Sequence, residues 1–366
     1  MYSSETIEVF LRLVRMGIGN DFSRRTVIPD NVDWGELKAL ADAQGLTAIV
    51  LDGLNMVQDE RLTIHGSMPQ LMRLEWIGGV LQNYEVRYKQ YEKAISSLAG
   101  WYNQHRFKMM VLKGYACSLD WPKPEHRPCG DIDIWQFGKQ KEADALLAKE
   151  KDIKIDKSHH HHTIFTWRDF LVENHYDLLN VHQHKSNVHL EKVVKELAMD
   201  DTNFVEVYGE KVYLPSANLH ALFLLRHAMT HFSATEITLR QLLDWAFFMK
   251  EHGKEVDWKW LLEILDQYGM TRLFNIFNAI CVKDLGFEVS IFPQVQFEPF
   301  LKERVLNDIL SPEFDEQEKG NIIKRYFLKY RRWQANKWKH ELCFNDSRWS
   351  AFWTGVWGHL LKPKSI

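Results

Sequence analysis

Leu112-Lys113-Gly114 and, after a proline-rich connection, Arg127-Pro128-Cys129-Gly130-Asp131-Ile132-Asp133-Ile134-Trp135 are the stretches whose reading decides the fold. Lys108 to Leu112 is a short apolar run that stops at Lys113-Gly114, the pattern of a buried strand turning into a helix start. Asp131 to Trp135 reads as a second strand. Asp131 and Asp133 are two residues apart, so on a strand their carboxylates leave the same face, while Ile132 and Ile134 point the other way into a core. Two carboxylates so held can converge on one or two Mg²⁺ ions, which take oxygen ligands at about 2.1 Å.

Outward from this pair the chain alternates between two periods. On the N-terminal side the spacing is helical. Asp33-Trp34-Gly35-Glu36 has the form of a capping box ahead of Leu37, Leu40 and Ala41, and a long amphipathic helix is predicted over 81–105. On the C-terminal side come a helix over 139–151 and two hairpins. The first hairpin runs from His162 to Trp167 and from Phe170 to Leu179 around Arg168-Asp169. The second pairs Phe204–Tyr208 with Lys211–Leu214 and is expected to turn at Gly209-Glu210. From Ser216 the pattern is helical almost to the end, with a break at 290–300 and an acidic stretch at 313–318. The cap, apolar stripe and glycine of residues 32–47 recur 224 residues later, at Asp257, Leu261 and Gly269; two independent uses of one helix grammar account for this better than a duplication. The expected architecture is therefore α+β: a small mixed-sheet core at 106–215 embedded in a largely helical protein, with helical regions at 1–105 and 216–366.

Composition excludes several classes. Apolar residues make up 45% and charged residues 26% of 366 residues, which excludes a disordered chain. The net charge of −3 gives no global attraction to nucleic acid or membrane. Four dispersed cysteines form no Cys-x-x-Cys pair, which excludes a zinc ribbon and fits reduced thiols. The N-terminus lacks a signal-peptide pattern and no window is apolar enough for a transmembrane helix, so a cytoplasmic protein is expected.

The order of these motifs resembles the DNA polymerase β-like nucleotidyltransferase superfamily. More narrowly, it is similar to a bacterial family of uncharacterised nucleotidyltransferases with the pattern Leu-Lys-Gly … Arg-Pro-x-Gly-Asp-Ile-Asp. The likeness covers about residues 30–270. It includes a hydrophobic-Glu-x-His strand, here Val172-Glu173-Asn174-His175, and a His-rich helix followed by an Arg-x-x-x-Asp helix, here His227, His231, Arg240 and Asp244. The resemblance implies transfer of a nucleoside monophosphate from an NTP donor to an unidentified hydroxyl acceptor, with Mg²⁺ or Mn²⁺ as cofactor. It implies Asp131, Asp133 and Glu173 as catalytic and metal-binding residues, with Asp177 the rival third carboxylate. It further implies Lys113, Gly114, Ser118 and Arg127 around the nucleotide, and His227, His231, Arg240 and Asp244 as a wall of the site. The chain departs from the superfamily at Gly114-Tyr115, where Gly-Ser or Gly-Gly is usual, and Ser118 one turn later is the expected substitute. A fold that has kept its shape and altered its use of NTP is the alternative.

Four further features have ordinary readings. His227 and His231 at i and i+4 have zinc spacing but no third ligand, and buried hydrogen-bonded histidines are the better reading. Arg240 and Asp244 are spaced for an i,i+4 ion pair. His159–His162 is taken as native and exposed. The stretch 321–340 carries seven Lys/Arg and no acid among aromatic residues, which would suit single-stranded nucleic acid, as in an RNA-binding accessory protein. A helix with its aromatics packed inward is the favoured reading.

Overall fold

The computed structural model describes residues 2–21, 28–29, 32–57, 68–200, 202–293, 295–312, 314 and 322–361, with 322–326 and 355–361 described as backbone alone. Most of the acidic stretch at 313–318 lies outside the described residues.

The sheet has six strands: β1 (Met110–Val111), β2 (Ile132–Trp135), β3 (His162–Trp167), β4 (Phe170–His175), β5 (Phe204–Val207) and β6 (Glu210–Tyr213). Their spatial order is β3-β4-β2-β1-β6-β5. It is mixed: β1 runs antiparallel to β2 and parallel to β6, and β2 runs parallel to β4. Helices surround this sheet, so the protein is α+β, as expected from the two alternating periods.

Strand alternation sorts the side chains. Met109, Val111, Ile132 and Ile134 are fully buried in one apolar cluster with the helix Arg87–Gln104, and Leu147 of the helix Gln140–Lys151 joins them. Met110, Leu112 and Trp135 belong to the larger cluster built from the N- and C-terminal helices. Ile132 and Ile134 thus anchor β2 on one face and leave Asp133 on the other, where the helix Ala217–Ala234 brings His227 close.

Several boundaries differ from expectation. The helix expected over 81–105 is preceded without a gap by the helix Gln70–Val80. It passes through a π-helical segment, Leu81–Val86, before continuing as Arg87–Gln104. The second hairpin turns at Tyr208-Gly209, one residue earlier than expected, with both residues at positive φ (49° and 83°). That is the turn whose twist matches the strands of a two-residue hairpin. The Asp33 cap forms, its carboxylate accepting from Glu36 N at 2.9 Å, but the reciprocal half of the box does not. Glu36 instead accepts from Ser3 N and Ser3 Oγ at the start of the helix Ser4–Gly17.

Candidate functional site

Backbone register brings the carboxylates together. In the parallel pair β2–β4, Asp133 lies opposite Glu173 and Trp135 opposite His175. Glu173 and His175, two apart on β4, share the face that carries Asp133. Asp131 sits just before β2, at an exposed position. Its carbonyl accepts from Tyr91 Oη at 2.8 Å. That bond explains Gly114: a Cβ there would meet Tyr91 Oη at 2.8 Å and the Asp131 carbonyl oxygen at 3.7 Å. Lys113 is the first residue of the short helix Lys113–Ser118 and has a left-handed φ of 37°.

The cluster is electrically dense. Lys113 Nζ lies 2.7 Å from Asp133 Oδ1, and His175 Nε2 lies 2.9 Å from the same oxygen. His175 Nε2 is also 3.6 Å from Glu173 Oε2. Burial alone would raise the Asp133 carboxyl, but Lys113 and the His175 hydrogen bond outweigh it and hold Asp133 well below the usual range. Burial likewise opposes the charge on Lys113 and His175. The carboxylates win, raising Lys113 and pushing His175 up to about 9. Glu173 is lowered, its own burial being overcome first by the His175 hydrogen bond. Asp131 goes the other way: the surrounding protein and then the Asp133 charge raise it. At neutral pH the cluster holds two anions, buried Asp133 and half-buried Glu173, matched by two cations, Lys113 and His175.

The residues expected around a nucleotide divide. Lys113 is in the cluster. Arg127 is buried and makes a two-point contact with Asp244, Nε to Oδ1 at 2.7 Å and Nη2 to Oδ2 at 2.9 Å, and Trp121 Nε1 donates to the same Oδ1 at 2.9 Å. The i,i+4 pair expected between Arg240 and Asp244 is therefore replaced by a long-range one. Arg240 Nε is buried without a hydrogen-bond partner among the described residues. Burial and the neighbouring Arg127 charge lower Arg240, while Asp244 and Asp131 favour its charged form. Ser118 is buried, donating to the Tyr115 carbonyl at 2.7 Å and lying 2.8 Å from Tyr88 Oη. Tyr115 itself stacks against Tyr88. The departing Tyr115 and its expected substitute Ser118 thus both face an aromatic core.

His227 Nε2 lies 3.4 Å from Lys113 Nζ and 3.2 Å from His231 Nε2. Burial, followed by the Lys113 charge, holds His227 well below its ordinary value, so a neutral imidazole faces the ammonium. Asp177 lies beyond the end of β4 and pairs with Lys195 at 2.5 Å. It is Glu173 that faces Asp133.

The run His159–His162 is not exposed as expected; His160 and His162 are buried and the other two half-buried. His162 opens β3 and lies opposite His175. His175 was legible as the partner of Glu173 at i+2, and the role of Tyr91 had no sequence signal.

Elsewhere, a separate cavity of about 470 Å³ is lined by Lys93, Trp101, Trp167 and Arg168, away from the carboxylates. The basic stretch forms the helices Ile322–Ala335 and Lys337–Cys343. Phe327 and Tyr330 are exposed, Trp333 lies under Arg348, and Trp338 lies under Arg304, so its aromatics are only partly packed inward. No described helix is long and apolar enough to cross a membrane.

The family described as uncharacterised nucleotidyltransferases matches residues 30–285, more than half of the chain. Among solved structures, an antigenic nucleotidyltransferase-like protein from Paracoccidioides brasiliensis is similar over 43% of this chain and 75% of its own. The identity is 15% and the TM-score 0.32. No curated protein matches the chain.

Proposed function

We propose that this chain, which belongs to the uncharacterised nucleotidyltransferase family, transfers a nucleoside monophosphate from an NTP to a hydroxyl acceptor, using Asp131, Asp133 and Glu173. The reading places it in the polymerase β-like superfamily. The observation that carries it is the β2–β4 register, which sets Glu173 beside Asp133, with Asp131 two residues before it at an exposed position.

The donor set suits a hard divalent cation such as Mg²⁺ or Mn²⁺, because all three acids offer carboxylate oxygen. Asp131, Asp133 and Glu173 would hold it, and it would supply positive charge to the phosphates and to the attacking and leaving oxygens. The remaining work falls to the chain. Lys113, which pairs with Asp133, and Arg240, whose Nε is without a hydrogen-bond partner among the described residues, would be the cations that meet phosphate oxygens. Glu173, held ionised, can accept the proton of the acceptor hydroxyl. Arg127, committed to Asp244, shapes the wall and does not contact the donor.

One observation favours a second reading. The Lys113 ammonium already neutralises Asp133 at 2.7 Å, an arrangement stable without a divalent ion. That would suit a binding protein of the same fold with altered use of NTP. Titration calorimetry with each NTP in the presence of Mg²⁺ or Mn²⁺ separates the two. Binding that requires the divalent ion, followed by pyrophosphate release with an acceptor, is expected. Failure of every NTP to bind the folded protein would sink the transferase reading.

A further inference from the structure

We propose that His161, His162 and His175, beside the Glu173 carboxylate, form a three-histidine site for a divalent transition-metal ion of the zinc class. It goes beyond the transferase reading and needs no nucleotide.

The geometry is that of a built site. The ligand atoms of His161, His162 and His175 lie within 4.8 Å of one another. Glu173 Oε2 is 3.8 Å from His162 Nδ1 and 3.6 Å from His175 Nε2. Three imidazoles match the donor preference of zinc, the ion taking the place of the His175 proton, and metal–nitrogen bonds of about 2.0–2.1 Å require the group to close by roughly an ångström.

The independent observation is His162. Its side chain is only 7% exposed, yet neither ring nitrogen makes a hydrogen bond, and Nδ1 of neighbouring His161 is also without one. Buried polar atoms left unpaired cost free energy, and a whole imidazole left so is rare. An ion between the rings would use them. The backbone already aims them: the His161 carbonyl accepts from both Tyr176 N (3.0 Å) and Asp177 N (3.1 Å), clamping the histidine run against the end of β4. His162 and His175 are then cross-strand neighbours, their ring centroids 5.2 Å apart. Such an ion would tie the edge strand β3 to the strand that carries Glu173.

The test uses the full chain, stripped with a chelator and titrated with Co²⁺. One equivalent should give the visible band of tetrahedral cobalt, displaced by Zn²⁺ and indifferent to excess Mg²⁺. His161→Gln and His162→Gln should each weaken Co²⁺ binding by at least about tenfold, since even residues behind a metal ligand cost 10–100-fold. Asp131→Asn should leave it unchanged. Absence of the band, or an unchanged affinity in both folded histidine variants, would overturn the proposal. Should the variants not fold, histidine C2 hydrogen exchange in the wild-type chain replaces them. Zn²⁺ should then slow exchange at His161, His162 and His175 and not at exposed His189. Uniform exchange with and without Zn²⁺ would equally overturn the site.

Discussion

At the scale of single residues, the two aspartates of the motif are not equivalent. Read from the sequence, both are expected to be removable in the absence of metal without loss of stability, because like charges repel. In the structure only Asp131 is free to behave so. It is exposed and raised by its surroundings, so Asp131→Asn should leave the melting temperature unchanged or slightly higher. Asp133→Asn removes the anion that neutralises Lys113 and His175, and should cost on the order of 3 kcal/mol, as for a broken buried pair. Melting curves of the two single variants without metal check this; equal behaviour would contradict the assignment of charges. If the acids also hold a divalent ion, Asp131→Asn should abolish any stabilisation by Mn²⁺. Gly114→Ala belongs to the same scale. The added methyl would press on Tyr91 Oη, which a fully buried ring and the Asp131 carbonyl hold in place. A loss of about 1–3 kcal/mol is expected in denaturant unfolding, with Asp131 shifted at the start of β2.

At the scale of elements, local rules explain what could be read and what shifted. The two helix–glycine–helix units start at Trp34 and Trp258, carry left-handed glycines at Gly45 and Gly269, and resume at Thr47 and Thr271. Cap, stripe and glycine are nearest-neighbour signals, so their positions were legible. The hairpin turn slipped by one residue because Gly209 supplies only one of two positive φ values, and Tyr208 adopts the other under the strand pairing around it. The end of the helix Leu239–His252 offers a pH prediction. His252 Nε2 lies 3.1 Å from Asp120 and Nδ1 3.2 Å from Glu255. The Asp120 hydrogen bond, working against burial, raises His252 from 6.5 to about 9. A raised histidine stabilises the fold fully below about pH 6.5 and loses that contribution as pH climbs through 9. The side chain is 41% exposed, so the effect should stay under about 1 kcal/mol. His252→Gln should flatten this part of the stability–pH curve; an unchanged slope would mean the contact carries no net stabilisation.

At the scale of the whole molecule, a buried ion pair helps tie the helical body to the loop that leads into the sheet. Arg127 comes from the loop before β2 and Asp244 from the helix Leu239–His252, 117 residues away. Asp244→Ala would leave a buried guanidinium uncompensated and Trp121 Nε1 without its acceptor, and should cost about 3–5 kcal/mol. Arg127→Met with Asp244→Leu should recover much of that loss, because the cost lies in the unpaired charge. Equilibrium unfolding of the single and double variants measures it.

By itself, the sequence determined the mixed α+β architecture, the strand on which Asp133 stands, the anchoring of Ile132 and Ile134, and the helix caps, because these depend on alternation and on neighbours within a turn. Its likeness to a family also supplied Glu173 and His175 as members of one Glu-x-His strand motif. Tertiary structure alone decided that Glu173 and not Asp177 meets Asp133, that Asp244 belongs to Arg127 and not to Arg240, and that Ser118 turns to Tyr88. It also decided that a histidine run with no period packs against His175. These outcomes rest on strand register and on contacts between residues far apart in the chain, where burial and charge pairing select one partner among several that local spacing leaves equal.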